Sequence, residues 1–165
     1  MKKNYFTALL FLFFFGCTLN LNAQMSSPEQ ENIKKEIRET AGTIFRNLEK
    51  MDAEALFQSY SDSPDFMFVT TDGSMVSFQE AKNHNAAWFR SLSSLKVTTI
   101  NDRFRFLPGN LVIYYWLGKF EMTLPTGQQL KDDKFGITLI FSKTDNQWKV
   151  IHQHSSALPP VQVKE

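Results

Sequence analysis

The sequence predicts an α+β domain in which helices cover one face of a curved antiparallel sheet. Helical patterns come first in the chain, and four long β patterns follow them without interruption. The connections between these β patterns are too short for parallel crossovers, which favours an antiparallel sheet. The 18 Lys and Arg residues nearly balance the 17 Asp and Glu residues. The chain therefore has no overall field to attract nucleic acid, and we expect no nucleic-acid partner.

Residues 1–23 are predicted to be a secretory signal peptide. Lys2 and Lys3 form a positive start, and residues 5–17 are almost entirely apolar. The Leu-Asn-Ala-Gln sequence at the end of this segment resembles leader ends from the Bacteroidetes group of bacteria. This pattern predicts that the mature chain begins at Gln24 and is exported to the periplasm or secreted.

An alternative to simple cleavage is a lipoprotein. Phe14-Phe15-Gly16-Cys17 resembles a degenerate lipoprotein box, in which acylation of Cys17 would anchor the protein to a membrane. A membrane is an expected partner only in that case. The folded domain is predicted to cover residues 24–160, which contain no cysteine, and residues 161–165 are predicted to be a tail.

Two helices are predicted at the start of the domain. Pro28 lies in the first turn of a long helix that ends near Lys50, and its apolar residues recur at intervals of three and four. This apolar stripe consists of Ile33, Ile37, Ala41, Ile44, Phe45 and Leu48. Asp52 is placed to cap a second, shorter helix, which Ser61-Asp62-Ser63-Pro64 interrupts. We expect the stripe to lie against the sheet.

A short hairpin and a third helix are predicted next. Apolar and polar residues alternate weakly over residues 65–70, which predicts a strand. Residues 71–74 have the composition of a hairpin turn, and residues 75–76 can form a second strand beside the first. Ser77 and Glu80 then have the spacing of a capping box, which predicts the start of the third helix.

The rest of the chain is predicted to be a four-stranded meander. Its strands cover residues 96–106, 111–122, 134–142 and 147–155. One face of the second strand consists of Tyr114, Trp116, Gly118 and Phe120, and the other of Leu111, Ile113, Tyr115 and Leu117. Both faces are apolar, so one should line the interior and the other should be covered. We therefore expect a homodimer through the outer face of the sheet.

The last strand contains two histidines that first suggest a site. Alternation predicts that Trp148, Val150, His152 and His154 share one face. Histidine is the side chain most readily recruited as an acid, a base or a metal ligand near neutral pH. We expect no metal and no cofactor, because these two histidines supply only two ligands and His84 lies on a separate helix.

The order of elements resembles the nuclear transport factor 2-like superfamily, and within it the SnoaL-like domains. Two stretches contribute to the resemblance: Asp65-Phe66-Met67-Phe68 with the following Asp72-Gly73, and the final segment from Trp148 to Ser155. The final segment is also similar to the association domain of calcium/calmodulin-dependent protein kinase II, which has a tryptophan, a His-x-His-x-Ser motif and a proline. The corresponding residues are Trp148, His152, His154, either Ser155 or Ser156, and Pro159.

The resemblance implies a cone-shaped, cystatin-like roll. In such a fold a bent sheet wraps around the N-terminal helices, leaves an open-ended cavity and often pairs as a dimer. The resemblance also implies relatives that include ketosteroid isomerases, polyketide cyclases and dehydratases, as well as modules without any chemistry. Fold alone does not decide among these functions.

Several residues are candidates for a site in such a cavity. The candidate ligand contacts are His152, His154, Trp148, Tyr114, Trp116, Trp88 and Tyr60. The candidate catalytic residues are His152, Asp65 and Tyr60. A structural role for the histidines, and core packing for Trp88, are the alternatives. The acids Asp102, Asp132 and Asp133 lie toward strand ends with charged neighbours, so we expect them to be solvated at the surface.

The sequence therefore favours an exported domain that binds a small, largely apolar or carbonyl-containing molecule. The first alternative is an isomerase, cyclase or dehydratase that acts next to a carbonyl, with His152 or Asp65 as the proton carrier. The second alternative is a non-catalytic assembly module that uses the sheet face alone.

Overall fold

The computed structural model describes residues 25–163. The predicted signal peptide, including Cys17 and the predicted start at Gln24, lies outside the described residues, so export stays a prediction. Within residues 25–163, no helix is both long enough and apolar enough to cross a membrane.

Three helices precede the main part of the sheet. They are α1 (Ser27–Glu49), α2 (Ala53–Phe57) and α3 (Phe78–Arg90). Asp52 caps α2 as predicted, because its carboxylate accepts the N–H of Ala55 at 2.9 Å. The predicted capping box at α3 is also present, with the N–H of Ser77 donating to Glu80 Oε2 at 2.8 Å.

Within the described residues, seven strands form one sheet. They are β1 (Met67–Val69), β2 (Met75–Val76), β3 (Ser94–Leu107), β4 (Leu111–Thr123), β5 (Gln129–Thr144), β6 (Gln147–Ser156) and β7 (Val161–Gln162). The strand order is β2-β1-β6-β5-β4-β3, with β7 paired to β5. The α+β class and the antiparallel meander from β3 to β6 are confirmed.

One pairing differs from the predicted antiparallel sheet. Strand β1 runs parallel to β6, so the sheet is mixed. The two strands are separated in the chain by α3 and four other strands, and no tight hairpin dictates their relative direction. Residues 161–165, predicted to be a tail, begin instead with a short strand, in which Val161 and Gln162 pair with Lys131 and Leu130 of β5.

The apolar stripe of α1 packs in the core, as predicted. Five of its members are buried: Ile37, Ala41, Ile44, Phe45 and Leu48. They belong to one cluster with Phe141 of β5 and Val150 of β6, both of which are completely buried. Burial of each large apolar side chain contributes about 1.5–3 kcal/mol to stability, so this packing fixes α1 against the sheet.

Polar contacts also hold the N-terminal half of α1 on the sheet. The Arg38 guanidinium donates to both oxygens of Asp102, at 2.8 and 3.0 Å. Asp102 is therefore paired and half-buried, not solvated as expected, and its pKa is lowered by this hydrogen-bonded cation. Glu36 Oε2 accepts the indole N–H of Trp148 at 2.7 Å and the ammonium of Lys143 at 3.0 Å.

Strand β6 contains a β-bulge that changes the orientation of its second half. In the pairing with β5, Val150 lies opposite Phe141, whereas His152 lies opposite Ile140, so Ile151 is an extra residue without a partner. An insertion of one residue reverses which of the following side chains face inward. This bulge decides which residues of β6 reach the interior of the domain.

Candidate functional site

A cavity of about 660 Å³ opens between α3 and the concave face of the sheet. Its apolar wall includes Trp88 of α3, Phe120 and Met122 of β4, and Phe135 and Ile137 of β5. Sites for small molecules in proteins have volumes of roughly 300–1,000 Å³ and mostly apolar walls with a few polar groups. The cavity therefore has the size and character of a small-molecule site.

The cavity exists because α1 covers only part of the concave face. Leu48, in the last turn of α1, lines the cavity. Just beyond it the chain turns away at Met51, which has a φ of 55°. The sheet continues past this point, where α3 instead of α1 faces β4 and β5, and the space between them is left open.

An irregularity in β5 shapes one wall of the cavity. Phe135 lies opposite Gly118 of β4, but Asp132 lies opposite Phe120, so residues 133–134 interrupt the regular pairing. The interruption turns the side chain of Asp132 toward the interior, where it is 7% exposed and lines the cavity. The prediction that Asp132 is solvated at the surface is therefore wrong.

Two successive aspartates have opposite environments at this irregularity. Asp133 is exposed, as predicted, and pairs with Lys119 at 3.4 Å and Lys131 at 3.0 Å. Asp132 Oδ1 accepts the backbone N–H of Lys134 at 3.0 Å. None of the ion pairs formed by the described residues includes Asp132. The cavity wall thus presents a buried carboxylate without a cationic side chain as its partner.

Three polar side chains form a hydrogen-bonded chain at another part of the cavity. The Tyr60 hydroxyl donates to Gln153 Oε1 at 2.7 Å, and Gln153 Nε2 donates to Ser155 Oγ at 2.9 Å. Gln153 and Ser155 line the main cavity, whereas Tyr60 lies behind them beside a second void of about 20 Å³. Burial raises the pKa of the Tyr60 hydroxyl, so it stays protonated at neutral pH.

The bulge in β6 explains why Gln153 and Ser155 face inward and the histidines do not. Trp148 is buried, as expected, but beyond the bulge the buried residues are Gln153 and Ser155. His152 is half-buried, His154 is exposed, and neither lines the cavity. The prediction that both histidines share the inner face with Trp148 is wrong. Burial and the neighbouring His154 lower the pKa of His152.

Three aromatic residues that were predicted to contact a ligand lie in the packed core instead of at the cavity. Trp148 is bound to Glu36 of α1. The indole N–H of Trp116 donates to Thr99 Oγ1 at 2.8 Å. The Tyr114 hydroxyl donates to Asp102 Oδ2 at 3.3 Å. Their polar atoms are thus satisfied within the core, and none of the three is among the cavity-lining residues.

The remaining predicted site residues divide between the cavity and the surface. Trp88 lines the cavity, and Tyr60 is connected to it through Gln153. Asp65 is exposed in the turn before β1. His84 of α3, considered earlier only as a metal ligand, lines the cavity from an exposed position. Among residues 25–163, no group of three or more His, Asp or Glu side chains is placed to hold a metal ion.

The outer face of the sheet is apolar on β4, as the sequence predicts. Tyr115 is 40% exposed and Leu117 is 39% exposed, while Ile113 beside them is half-buried. Ile113 lies opposite Ile140 of β5, which extends the apolar patch onto the next strand. The expected homodimer through this face stays a prediction.

A model of the SnoaL-like domain matches residues 37–161, from the middle of α1 to the start of β7. The chain belongs to the SnoaL-like family. The match includes both sides of the cavity, so the resemblance inferred from sequence motifs is confirmed. No curated protein matches this SnoaL-like chain at a significant level.

Solved structures share the fold of this SnoaL-like domain at low sequence identity. A type 2 hexachlorocyclohexane dehydrochlorinase has a TM-score of 0.72 at 13% identity, covering 84% of this chain and 94% of its own. A nuclear transport factor 2-like protein from Salmonella enterica serovar Typhimurium has a TM-score of 0.70 at 18% identity, with coverages of 82% and 98%.

The predicted likeness to a kinase association domain is also found. A protein from Xanthomonas campestris, described as a candidate calcium/calmodulin-dependent protein kinase II association domain, has a TM-score of 0.65 at 20% identity. The alignment covers 76% of this SnoaL-like chain and 87% of the other chain. At such identities these likenesses establish the fold, which accommodates enzymes as well as assembly domains.

Proposed function

We propose that this SnoaL-like domain binds a small, largely apolar molecule in the cavity. The observation that supports this proposal most strongly is the composition of the cavity wall. The aromatic rings of Trp88, Phe120 and Phe135 form much of it, whereas Asp132 and Ser155 add polar groups at separate places. A wall of this kind stabilises an apolar ligand by burial and orients it through a few hydrogen bonds.

The aromatic wall is suited to a flat, ring-containing ligand. The ring centroids of Phe120 and Phe135 are 4.4 Å apart, and those of Trp88 and Phe120 are 6.2 Å apart. These rings already pack on one another in tilted arrangements, so they present a continuous apolar surface instead of separate side chains. An additional ring at this surface would gain about 0.5–1.5 kcal/mol beyond its burial.

A bicyclic phenol, 5,6,7,8-tetrahydro-2-naphthol, is a suitable probe of this binding. We expect it to bind the wild-type domain in a calorimetric titration. Asn85 lines the cavity from α3, so Asn85→Trp should fill the space and weaken binding by about tenfold or more. Asn83, exposed on the same helix, provides a matched control, because Asn83→Trp should leave binding unchanged. Equal affinities for the two variants would contradict the proposal.

The buried carboxylate of Asp132 favours a second candidate function. It supports an isomerase, cyclase or dehydratase that moves a proton next to a carbonyl, since an unpaired carboxylate in an apolar wall can accept a proton from a carbon acid. A hexachlorocyclohexane dehydrochlorinase is among the proteins with this fold. The sequence favoured His152 or Asp65 as the proton carrier, but in this proposal Asp132 takes that role because it lines the cavity.

Hydrogen exchange of a ketone tests the enzymatic candidate directly. We expect the wild-type domain to accelerate the exchange of the α-protons of 2-tetralone for deuterium, measured by NMR in D₂O. Asp132→Asn should abolish the acceleration. Asp133→Asn should retain it, because Asp133 is exposed and paired with lysines. The same exchange rate with and without wild-type protein would exclude this activity for that probe and leave binding as the function.

We also propose that the domain forms a homodimer through the outer face of the sheet. Exposed apolar area around Tyr115 and Leu117 supports the proposal, because large apolar patches on soluble proteins are commonly covered. In sedimentation, we expect the wild-type domain to be a dimer and Leu117→Lys to be a monomer. Met75→Lys, which changes an exposed residue of β2, should remain dimeric. A monomeric wild-type domain at high concentration would contradict the proposal.

Export of the protein is a further proposal that follows from residues 1–23. The positive start and apolar run support it. The mass of the mature chain distinguishes the two processing routes, since simple cleavage predicts a start at Gln24 and a lipoprotein predicts an acylated Cys17. Recovery of the uncleaved chain from the cytoplasm would contradict both routes.

A further inference from the structure

We propose that the hydrogen-bonded chain of Tyr60, Gln153 and Ser155 makes one end of the cavity a hydrogen-bond donor, while Asp132 makes the other end an acceptor. The ligand class that fits is an elongated cyclic molecule with a carbonyl oxygen at one end and a hydroxyl or amine at the other. This inference rests on the proposed ligand-binding function and specifies its ligand; it is an alternative to the enzymatic candidate, in which Asp132 removes a proton next to the carbonyl.

The direction of the hydrogen-bonded chain follows from the burial of Tyr60. Its hydroxyl is enclosed, and it donates its proton to Gln153 Oε1 at 2.7 Å. Reversing the Gln153 amide would place an NH₂ group there and leave the Tyr60 proton without that acceptor. An unsatisfied buried donor costs about 1–3 kcal/mol, so the observed amide orientation is strongly preferred. Tyr60 is therefore a positioning residue for Gln153.

The orientation of Gln153 determines the role of Ser155. With Oε1 engaged by Tyr60, the Gln153 Nε2 group donates to Ser155 Oγ at 2.9 Å. The Ser155 oxygen already accepts this bond, so its own hydrogen is available for another partner. None of the hydrogen bonds among the described side chains has the Ser155 hydroxyl as the donor. Because Ser155 lines the cavity, this hydroxyl offers its hydrogen to a ligand acceptor.

Ser155 and Asp132, both of which line the cavity, are too far apart for one functional group of a ligand to contact both. Ser155 pairs with Ile137 of β5, which lies opposite Trp116 of β4. Asp132 lies opposite Phe120, which is four residues further along β4. At about 3.3 Å per residue, this corresponds to roughly 13 Å along the sheet surface. The concave curvature of the sheet shortens the distance between the side chains of Ser155 and Asp132. A ligand still needs two separate polar groups on a rigid ring system to contact both.

This polarity should discriminate between ligands of the same shape. A site that hydrogen-bonds a substrate oxygen rejects analogues without it, because the polar groups of the site are then left unpaired. The donor end should therefore prefer 6-hydroxy-1-tetralone to 5,6,7,8-tetrahydro-2-naphthol, which keeps the rings and the hydroxyl but lacks the carbonyl. We expect a preference of about tenfold, the usual effect of one such hydrogen bond.

Calorimetric titration of both probes against three variants tests the proposal. Ser155→Ala should reduce the preference for the ketone to less than about twofold, because the ketone loses its hydrogen-bond donor. Ser156→Ala is the matched control and should keep the full preference, since Ser156 is exposed on the other side of β6. Tyr60→Phe should also lower the preference, because the Gln153 amide is then free to reverse.

The ratio of the two affinities separates positioning from general damage to the fold. A merely structural loss in Tyr60→Phe would weaken both probes equally and leave their ratio unchanged, which would overturn the proposed role of Tyr60. Equal binding of both probes to the wild-type domain would overturn the donor end while keeping ligand binding. No binding of either probe would overturn the ligand-binding proposal and this inference with it.

Discussion

The two halves of the concave face contain similar aromatic residues but differ in what covers them. The half under α1 contains Tyr114, Trp116 and Trp148. The half under α3 contains Trp88, Phe120 and Phe135. We call them the packed half and the open half. In the packed half a helix fills the space in front of the sheet, whereas in the open half a cavity remains.

Their polar groups show what the difference means. In the packed half, Glu36 binds the indole N–H of Trp148 and Thr99 binds that of Trp116. In the open half, the carboxylate of Asp132 and the hydroxyl of Ser155 face the cavity. Buried polar groups normally have hydrogen-bond partners inside the protein. Polar groups directed into a cavity therefore indicate where a ligand would provide these partners. Aromatic content alone would not have distinguished the two halves.

The largest expected difference between the halves is the cost of removing an aromatic ring. Phe141→Ala in the packed half should lower the free energy of unfolding by about 3–5 kcal/mol, because the ring is completely buried and leaves a void. Phe135→Ala should cost much less, since Phe135 is only partly buried and already borders open space. Urea unfolding measures both values. Equal losses would show that the open half is packed as tightly as the other.

The boundary between the halves depends on Gly118 of β4. A Cβ atom at this position would collide with the Trp116 ring and would lie 2.6 Å from the carbonyl oxygen of Thr98. We expect Gly118→Ala to lower the free energy of unfolding by about 1–3 kcal/mol, as overpacking does. In the control Gly136→Ala, the nearest atom would be 3.7 Å away, and the cost should be within about 0.5 kcal/mol. Similar costs for both variants would disprove this account of the boundary.

Low pH should reduce the free energy of unfolding through protonation of Glu36 in the packed half. The hydrogen bond from Trp148 and the pairing with Lys143 lower the pKa of Glu36 below its ordinary value of 4.5. The unfolded chain therefore binds more protons than the folded chain as the pH falls through this range, so stability decreases. Glu36→Gln should show a shallower loss of unfolding free energy between about pH 5 and pH 3. Glu39→Gln, at an exposed position on α1, should keep the wild-type slope.

The smallest expected effect comes from His152 on the outer face. Burial and His154 lower its pKa below the ordinary value of 6.5, so the folded protein favours the neutral imidazole. The unfolded chain then binds more protons just below pH 6.5, and stability decreases as the pH falls through that window. His152→Asn should remove this slope without changing probe binding, because His152 lies outside the cavity. A change in probe affinity in this variant would show that His152 contributes to ligand binding.

The order of elements could be predicted from the sequence because local signals specify it. The capping residues Asp52 and Ser77 and the apolar stripe of α1 all correspond to features of the structure. The site could not be predicted in the same way, because it depends on irregularities in β5 and β6. The extra residue Ile151 turns Ser155 inward, and the interruption at residues 133–134 turns Asp132 inward. A one-residue insertion has no reliable signal in the sequence, yet it reverses the faces of a strand.

The most direct test of the central claim is a crystal structure of the domain grown with 5,6,7,8-tetrahydro-2-naphthol. The account predicts the probe in the cavity of the open half, with its rings against Phe120 and Phe135 and its hydroxyl near Asp132. A structure in which the side chains of Trp88 and Phe135 fill that space and leave no room for the probe would contradict it.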